Sequence, residues 1–225
     1  MADFDVLNEV KANLIRKAKG GFIVTAPLDV EVPEKIMETQ TELVDFKALG
    51  FVPLGWLSKS DGVTFNREVE TSEVEYFGAS EPTRVDITSD STSAAFVCQE
   101  TNKAVLELFH NQDLSNVKAD VNGEVVFAQE RTPDTVYRRF IHIAKDGNGE
   151  NAIYIAKVMP RGTIVDPQEQ AWSNEDELKY GMSVSASSDQ ELGFAVRHHF
   201  GGPGWIKLLK SMGFDDSAVT PAAGN

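Results

Sequence analysis

Short runs of alternating or apolar residues, separated by turn-forming clusters, recur along most of this chain and set the class of fold open to it. In Thr83–Thr88, Val85 and Ile87 alternate with Arg84, Asp86 and Thr88, the two-residue period of a half-buried strand. Ser89-Asp90-Ser91 reads as a turn and Ser93–Gln99 as the returning strand. Phe22–Thr25 is a short strand stopped by Pro27, and further strands are expected over Glu124–Gln129, Thr135–Lys145, Asn151–Met159, Glu177–Ser187 and Leu192–Phe200. In the last of these, Leu192, Phe194, Val196 and Phe200 share one face while Arg197 and His199 share the other. Asp146-Gly147-Asn148-Gly149 is a hairpin turn, since glycine and Asn/Asp accept positive φ at low cost. One helix interrupts the series: Thr101-Asn102 can cap Lys103–His110, where Ala104, Val105, Leu108 and Phe109 form one stripe. The pattern predicts an all-β sandwich or barrel with one short helix.

What remains reads as extensions of that body. Residues 1–19 form a weak helix or an extended arm, with Leu7, Val10, Leu14 and Ile15 near a 3.6-residue period that ends at Gly20-Gly21. Leu28–Thr41, with one proline and several acids, is a loop. Gly201-Gly202-Pro203-Gly204 is a flexible break before an amphipathic tag, Trp205–Lys210, and a polar tail. The expected organisation is an N-terminal arm over 1–19, one β domain over 20–200 and a C-terminal arm over 201–225. Within the domain, Leu49–Pro82 combines a glycine-punctuated aromatic strand, a Ser-Lys-Ser-Asp-Gly turn, and a polar, acidic arm tipped by Tyr76 and Phe77. So long a loop in a compact domain is functional or disordered, and its aromatics speak against disorder. Two readings stay open: a long solvated hairpin, or an arm that orders only against a neighbouring copy.

Charge narrows the function. Of 225 residues, 35 are Asp or Glu and 21 are Lys or Arg, a net charge of −14. Such a surface repels phosphate and gains nothing from counterion release, which argues against specific nucleic-acid binding and against docking on anionic membranes. The lone Cys98 follows the apolar run Ala94-Ala95-Phe96-Val97, so a buried thiol is expected, in a soluble protein folding in a reducing compartment. No cofactor is expected. Adjacent His198 and His199 point to opposite faces of a strand and cannot chelate together, and the glycine clusters lack the strand-to-helix setting of a phosphate loop. The best enzymatic candidates are the carboxylate pairs Glu68 with Glu70 and Glu73 with Glu75. A glycosidase could use such pairs, but they lie in a solvated segment where a raised acid pKa has no physical source.

Two series of motifs carry a resemblance. Gly20-Gly21-Phe22-Ile23-Val24-Thr25-Ala26-Pro27 is followed by Leu49-Gly50-Phe51 and by Gly55-Trp56-Leu57-Ser58-Lys59-Ser60-Asp61-Gly62-Val63-Thr64. Later come Val158-Met159-Pro160-Arg161-Gly162-Thr163-Ile164-Val165 and Trp172-Ser173-Asn174-Glu175-Asp176-Glu177-Leu178-Lys179-Tyr180-Gly181-Met182-Ser183-Val184. In order and spacing, from about Gly20 to Asp189, these are similar to the major tail tube proteins of long-tailed bacteriophages, actinobacterial phages in particular. Phe51-Val52-Pro53-Leu54 departs from that pattern and leaves open whether Gly50 or Gly55 begins the matching strand.

The resemblance implies a structural virion protein, not an enzyme, assembled in the bacterial host cytoplasm. Hexameric rings would stack into a hollow tail tube around a tape-measure protein, closed by tail terminator and tail tip proteins. DNA would pass through without specific binding, since an acidic wall repels phosphates within a Debye length of roughly 10 Å at 0.1 M salt. On that reading residues 58–82 form the ring-stacking loop, with Trp56 and Phe65 as anchors at its base, Asp61, Arg67 and Glu73 along it, and Tyr76 and Phe77 as the contacts that bury. Trp205, Leu208 and Leu209 would dock on an adjacent subunit, and Glu124, Glu130, Glu175 and Glu177 are candidate lumen acids. The competing class is a carbohydrate-binding or decorating β domain on a virion surface, which would show an aromatic platform on a strand face.

Overall fold

The structure, a computed structural model, describes residues 8–78, 81–129, 131 and 134–219. Its strands are β1 (Gly20–Ala26), β2 (Val52–Pro53), β3 (Val63–Val74), β4 (Arg84–Cys98), β5 (Arg138–Asp146), β6 (Ile153–Pro167), β7 (Tyr180–Ser187) and β8 (Arg197–Gly201). Helix α1 (Lys103–Phe109) lies between β4 and β5, and two one-turn helices, α2 (Pro203–Ile206) and α3 (Leu209–Met212), follow β8. All strands join one antiparallel sheet in the order β2-β1-β5-β6-β7-β4-β3, with β8 also paired to β6. The chain is thus mostly β with a few short helices.

β6 is the hub. β5 lies along one side of it from Ile153 to Gly162, while the other side is shared end to end, by β8 at Tyr154–Val158 and by β7 at Arg161–Pro167. Pro160 falls in the gap between those two partners. A proline inside a central strand ordinarily costs a ladder hydrogen bond; here it occupies a place where no ladder on that side asks for one.

β1, β5 and β6 are covered on both faces, which explains their dense apolar sequences. On one face Val24, Ile141, Ile143, Ala156 and Val158 pack under Val32, Ile36, Phe46 and Phe51 of the segment that links β1 to β2. On the other face Ile23, Phe140 and Met159 meet Phe96 and Cys98 of β4, Met182 and Val184 of β7, and Val105 and Leu108 of α1. Phe65 on β3 stands edge-on to His142 on β5, with ring centroids 5.3 Å apart. Those strands are not sheet neighbours, so the sheet rolls over on itself around this second core. Asn102 caps α1: its Oδ1 accepts the Val105 N–H at 3.0 Å, while its Nδ2 donates to the Leu54 carbonyl at 3.1 Å. The cap therefore also ties the helix to the core.

Several expectations are corrected. Ser89-Asp90-Ser91 is not a turn, because β4 runs unbroken from Arg84 to Cys98. The alternation changes phase there through a bulge: Glu70 pairs with Ser89 and Thr71 with Ile87, which leaves Thr88 as an extra residue. Glu124–Gln129 belongs to no strand, and Leu192–Val196 precede β8, held in part by the Asp189 carboxylate, which accepts the Glu191 and Leu192 N–H groups. Val52–Pro53 forms its own short strand on β1, between Gly50 at φ +98° and Gly55 at φ +85°, so both glycines serve as turns around it. Gly202 and Gly204 form a packed corner and not a loose break. Side-chain carbons there would lie 2.7 Å from the Ala152 carbonyl and 2.5 Å from the Asn151 carbonyl, respectively. Residues 8–19 take the extended alternative, with one 3-10 turn at Ala12–Leu14. They are pinned where Arg16 Nη1 and the Lys17 N–H reach Asp146 at 3.5 and 3.3 Å.

Candidate functional site

The expected loop over 58–82 is, for most of its length, one strand of a long hairpin. β3 and β4 pair from Val63–Phe96 out to Val74–Arg84, while β7 supports β4 only as far as Thr92. Seven residues of β3, Glu68–Val74, lie beyond that support, a reach of roughly 23 Å at about 3.3 Å per residue. The hairpin therefore leaves the rolled body as a bare two-stranded ribbon. Polar residues suit such a ribbon, since neither face is covered.

The ribbon is not polar throughout. Alternate residues of a strand share a face, so Phe65, Arg67, Val69, Thr71 and Glu73 face the same way, with Asp90 opposite Val69. The bulge at Thr88 brings Ile87 and Val85 onto that face, opposite Thr71 and Glu73. Past the Arg67–Asp90 ion pair, the face that is core at Phe65 and Ala94 carries exposed Val69, Ile87 and Val85 outward. Beyond these, Tyr76 is 62% exposed and Phe77 fully exposed. Arg67 stiffens the ribbon through two hydrogen bonds to the Asp90 carboxylate, at 2.9 and 2.6 Å. That pairing holds the carboxyl below its ordinary pKa. Glu73 is exposed, as are Glu68, Glu70 and Glu75, and no cleft brings these acids together.

At the base, Ser58 and Ser60 hydroxyls donate to the Asp61 carboxylate, and the Gly62 N–H returns to the Ser58 carbonyl at 3.0 Å. The hydroxyl donors pull the Asp61 pKa down, and Gly62 completes the turn at φ +61°. Asp61 is thus a turn-forming residue that sets the exit of β3. Phe65 is half-buried, with Lys157 Nζ 3.9 Å from its ring centroid. Trp56 has a side chain open to solvent, the residue being 76% exposed, and its backbone N–H donates to Glu100 Oε1 at 2.7 Å.

The remaining expected residues lie apart from the hairpin. Trp205 stacks on Phe200 of β8, with centroids 5.0 Å apart, and Leu208 and Leu209 are half-buried beside it. Glu124 and Glu175 are exposed loop residues, while Glu177 accepts a hydrogen bond from Gln99 at 2.8 Å that lowers its pKa. Glu130 lies outside the described residues. Among the described residues no His, Cys, Asp or Glu cluster could hold a metal, and no helix is long and apolar enough to cross a membrane. Sequence reasoning missed the Val69, Ile87 and Val85 stripe. Its signal was present as the change of phase between Val85/Ile87 and Ala94/Phe96/Cys98.

Residues 9–195 match the family model of the phage tail tube protein. The chain belongs to the phage tail tube protein family. Membership makes it a structural protein of a virion tail, and no curated protein matches it in sequence. A solved chain from the virion of a native gene transfer agent particle is similar over 67% of this chain and 90% of its own. It shares 11% identity, with a TM-score of 0.35. For a tail tube protein the informative surfaces are those that meet other copies, and the hairpin beyond Thr92 is one that its own fold leaves bare.

Proposed function

We propose that the chain assembles into hexameric rings which stack into the hollow tail tube through which phage DNA is ejected, and that the β3–β4 hairpin is the ring-to-ring contact. One observation carries this reading: exposed Val69, Ile87 and Val85 on one face of the hairpin, tipped by Tyr76 and Phe77, project beyond the body with none of the described residues covering them. A lone two-stranded ribbon is marginal in water, and a neighbouring ring supplies what it lacks. Trp56, at the root of the same hairpin, is the second exposed aromatic that ring contact would cover. Trp205, Leu208 and Leu209 reach an adjacent subunit with the surface left over from their packing on β8. Domain boundaries at residues 19/20 and 200/201 separate these arms from the body.

The tube would enclose a tape-measure protein and end on terminator and tip proteins, with assembly in the host cytoplasm. Its bore would be lined by carboxylates such as Glu130, Glu175 and Glu177, which keep DNA mobile by repulsion. The test is the double variant Tyr76→Ala with Phe77→Ala. Burying an aromatic side chain is worth about 1.5–3 kcal/mol, so this variant is expected to form rings without tubes by electron microscopy, with an unchanged melting temperature. Full-length tubes from it would remove the hairpin tip from the contact.

A further inference from the structure

A second surface concerns contacts within a ring, and it rests on the self-assembly reading above. The outer edge of β1 is only partly covered. β2 pairs with Val24 and Thr25, and the Leu54 N–H donates to the Ile23 carbonyl at 3.0 Å, after which the edge is bare. Gly20 and Gly21 are exposed. Gly21 is in phase with Ile23, so its N–H and C=O point off that edge, away from β5. Gly21 cannot be another residue without movement, since a side-chain carbon would lie 2.5 Å from the Ile143 carbonyl. A groove of about 400 Å³ runs alongside, lined by Phe22 and Tyr154 and flanked by Lys19 and Lys145. Lys19 beside the edge and Lys145 on the neighbouring β5 supply two cations here, Lys19 standing 4.0 Å from the Asp146 carboxylate.

Elsewhere a segment with the composition of a strand has no ladder. The Asp120 N–H bonds to the Glu124 carbonyl at 2.9 Å, and Asp120 Oδ1 accepts the Asn122 and Glu124 N–H groups at 2.8 Å each. From this closed turn Glu124-Val125-Val126-Phe127-Ala128-Gln129 runs on without a strand partner among the described residues. It is held to its own domain by Phe127 against the His110 ring at 5.2 Å and by Gln112 Nε2 donating to the Ala128 carbonyl at 2.8 Å. Val121 and Val126 are exposed, and Asp120 and Glu124 give this segment negative charge.

We infer that Glu124–Gln129 of one copy adds as a strand to the open β1 edge at Gly20–Phe22 of a second copy, with Asp120 and Glu124 set beside Lys19 and Lys145. Strand addition satisfies both bare backbones at once. Opposite charges fix the pairing and oppose like-with-like contact. Because the two surfaces differ, the contact is head-to-tail, the kind that makes a ring when the rotation between copies closes.

Full-length Gly20→Cys and Val126→Cys variants test it. The native Cys98 is buried, and nothing lies within 4 Å of a side-chain carbon at Gly20. Mixed and mildly oxidised, the two should give a covalent dimer on a non-reducing gel that neither gives alone. In a second arm, Lys19→Glu with Lys145→Glu should weaken ring formation, and adding Asp120→Lys with Glu124→Lys to the same chain should restore it. A mixture that assembles like the wild type yet yields no covalent dimer overturns the contact while leaving self-assembly intact. A wild-type chain that stays monomeric at every concentration overturns the self-assembly reading and this contact with it.

Discussion

His142 stands in the core between Phe65, Phe96 and Phe140, and neither of its ring nitrogens has a hydrogen-bond partner. Lys157 is its neighbour across the ladder, and His198 pairs with Lys157 in turn, so the charged groups on this row are all cationic. Burial pushes the imidazole down from 6.5 to about 4, with the Lys157 backbone opposing the shift and the Lys157 charge adding a smaller push to it. The unfolded chain therefore takes up a proton at this side chain near pH 6.5, whereas the folded chain resists until about pH 4. Stability contributed by neutral His142 is complete above pH 6.5 and is lost as pH falls through that window, at about 1.4 kcal/mol per unit of difference between the two states. Melting temperatures taken from pH 7 to pH 4 should fall, and His142→Leu should flatten most of that slope. An unchanged slope would place the acid sensitivity in another group. Cys98 shows the same physics in a thiol: burial raises it to about 12, so a thiol-directed reagent should label the protein only on unfolding.

Among the elements, the helix and the paired body strands were legible in the sequence because each obeys one rule along its whole length. Asn102 caps Lys103–Phe109 as the Thr101-Asn102 pair announced, and Asn102→Ala should cost about 1 kcal/mol of unfolding free energy, read in urea with an unchanged slope. β4 was legible only in halves. Val85 and Ile87 keep odd phase while Ala94, Phe96 and Cys98 keep even phase, and a change of phase in sequence looks the same whether a turn or one extra residue makes it. The structure uses one extra residue, Thr88, as bulged strands do. Glu124–Gln129 failed for the opposite reason: the residues favour a strand, but they pair with no strand among the described residues. β2 is two residues long, too short for any periodicity to show. The apolar hairpin stripe was hidden for want of register, since Val69 and Ile87 are 18 positions apart and meet on one face only through the bulge.

At the scale of the whole molecule, protection is graded. β1, β5 and β6 are covered on both faces, whereas the outer part of β3 and β4 has solvent on each side. Amide exchange in the unassembled chain should be slowest at Ile141, Ile143 and Val158 and fastest in the hairpin beyond Thr92, because local opening there exposes almost no new apolar surface. On assembly the hairpin amides should slow most. Uniform exchange across both regions would mean that the ribbon is braced by something other than stacking.

The seam at Pro160 gives this arrangement a mechanical sense. Tension applied at Phe77 passes along the ladder from β3 to β4 to β7, and enters the body through the distal half of β6. There it crosses Pro160 onto the stretch gripped by β5 and β8. A pull on the tip therefore reaches the inner strands lengthwise, as shear against many parallel rungs, and does not peel them apart one by one.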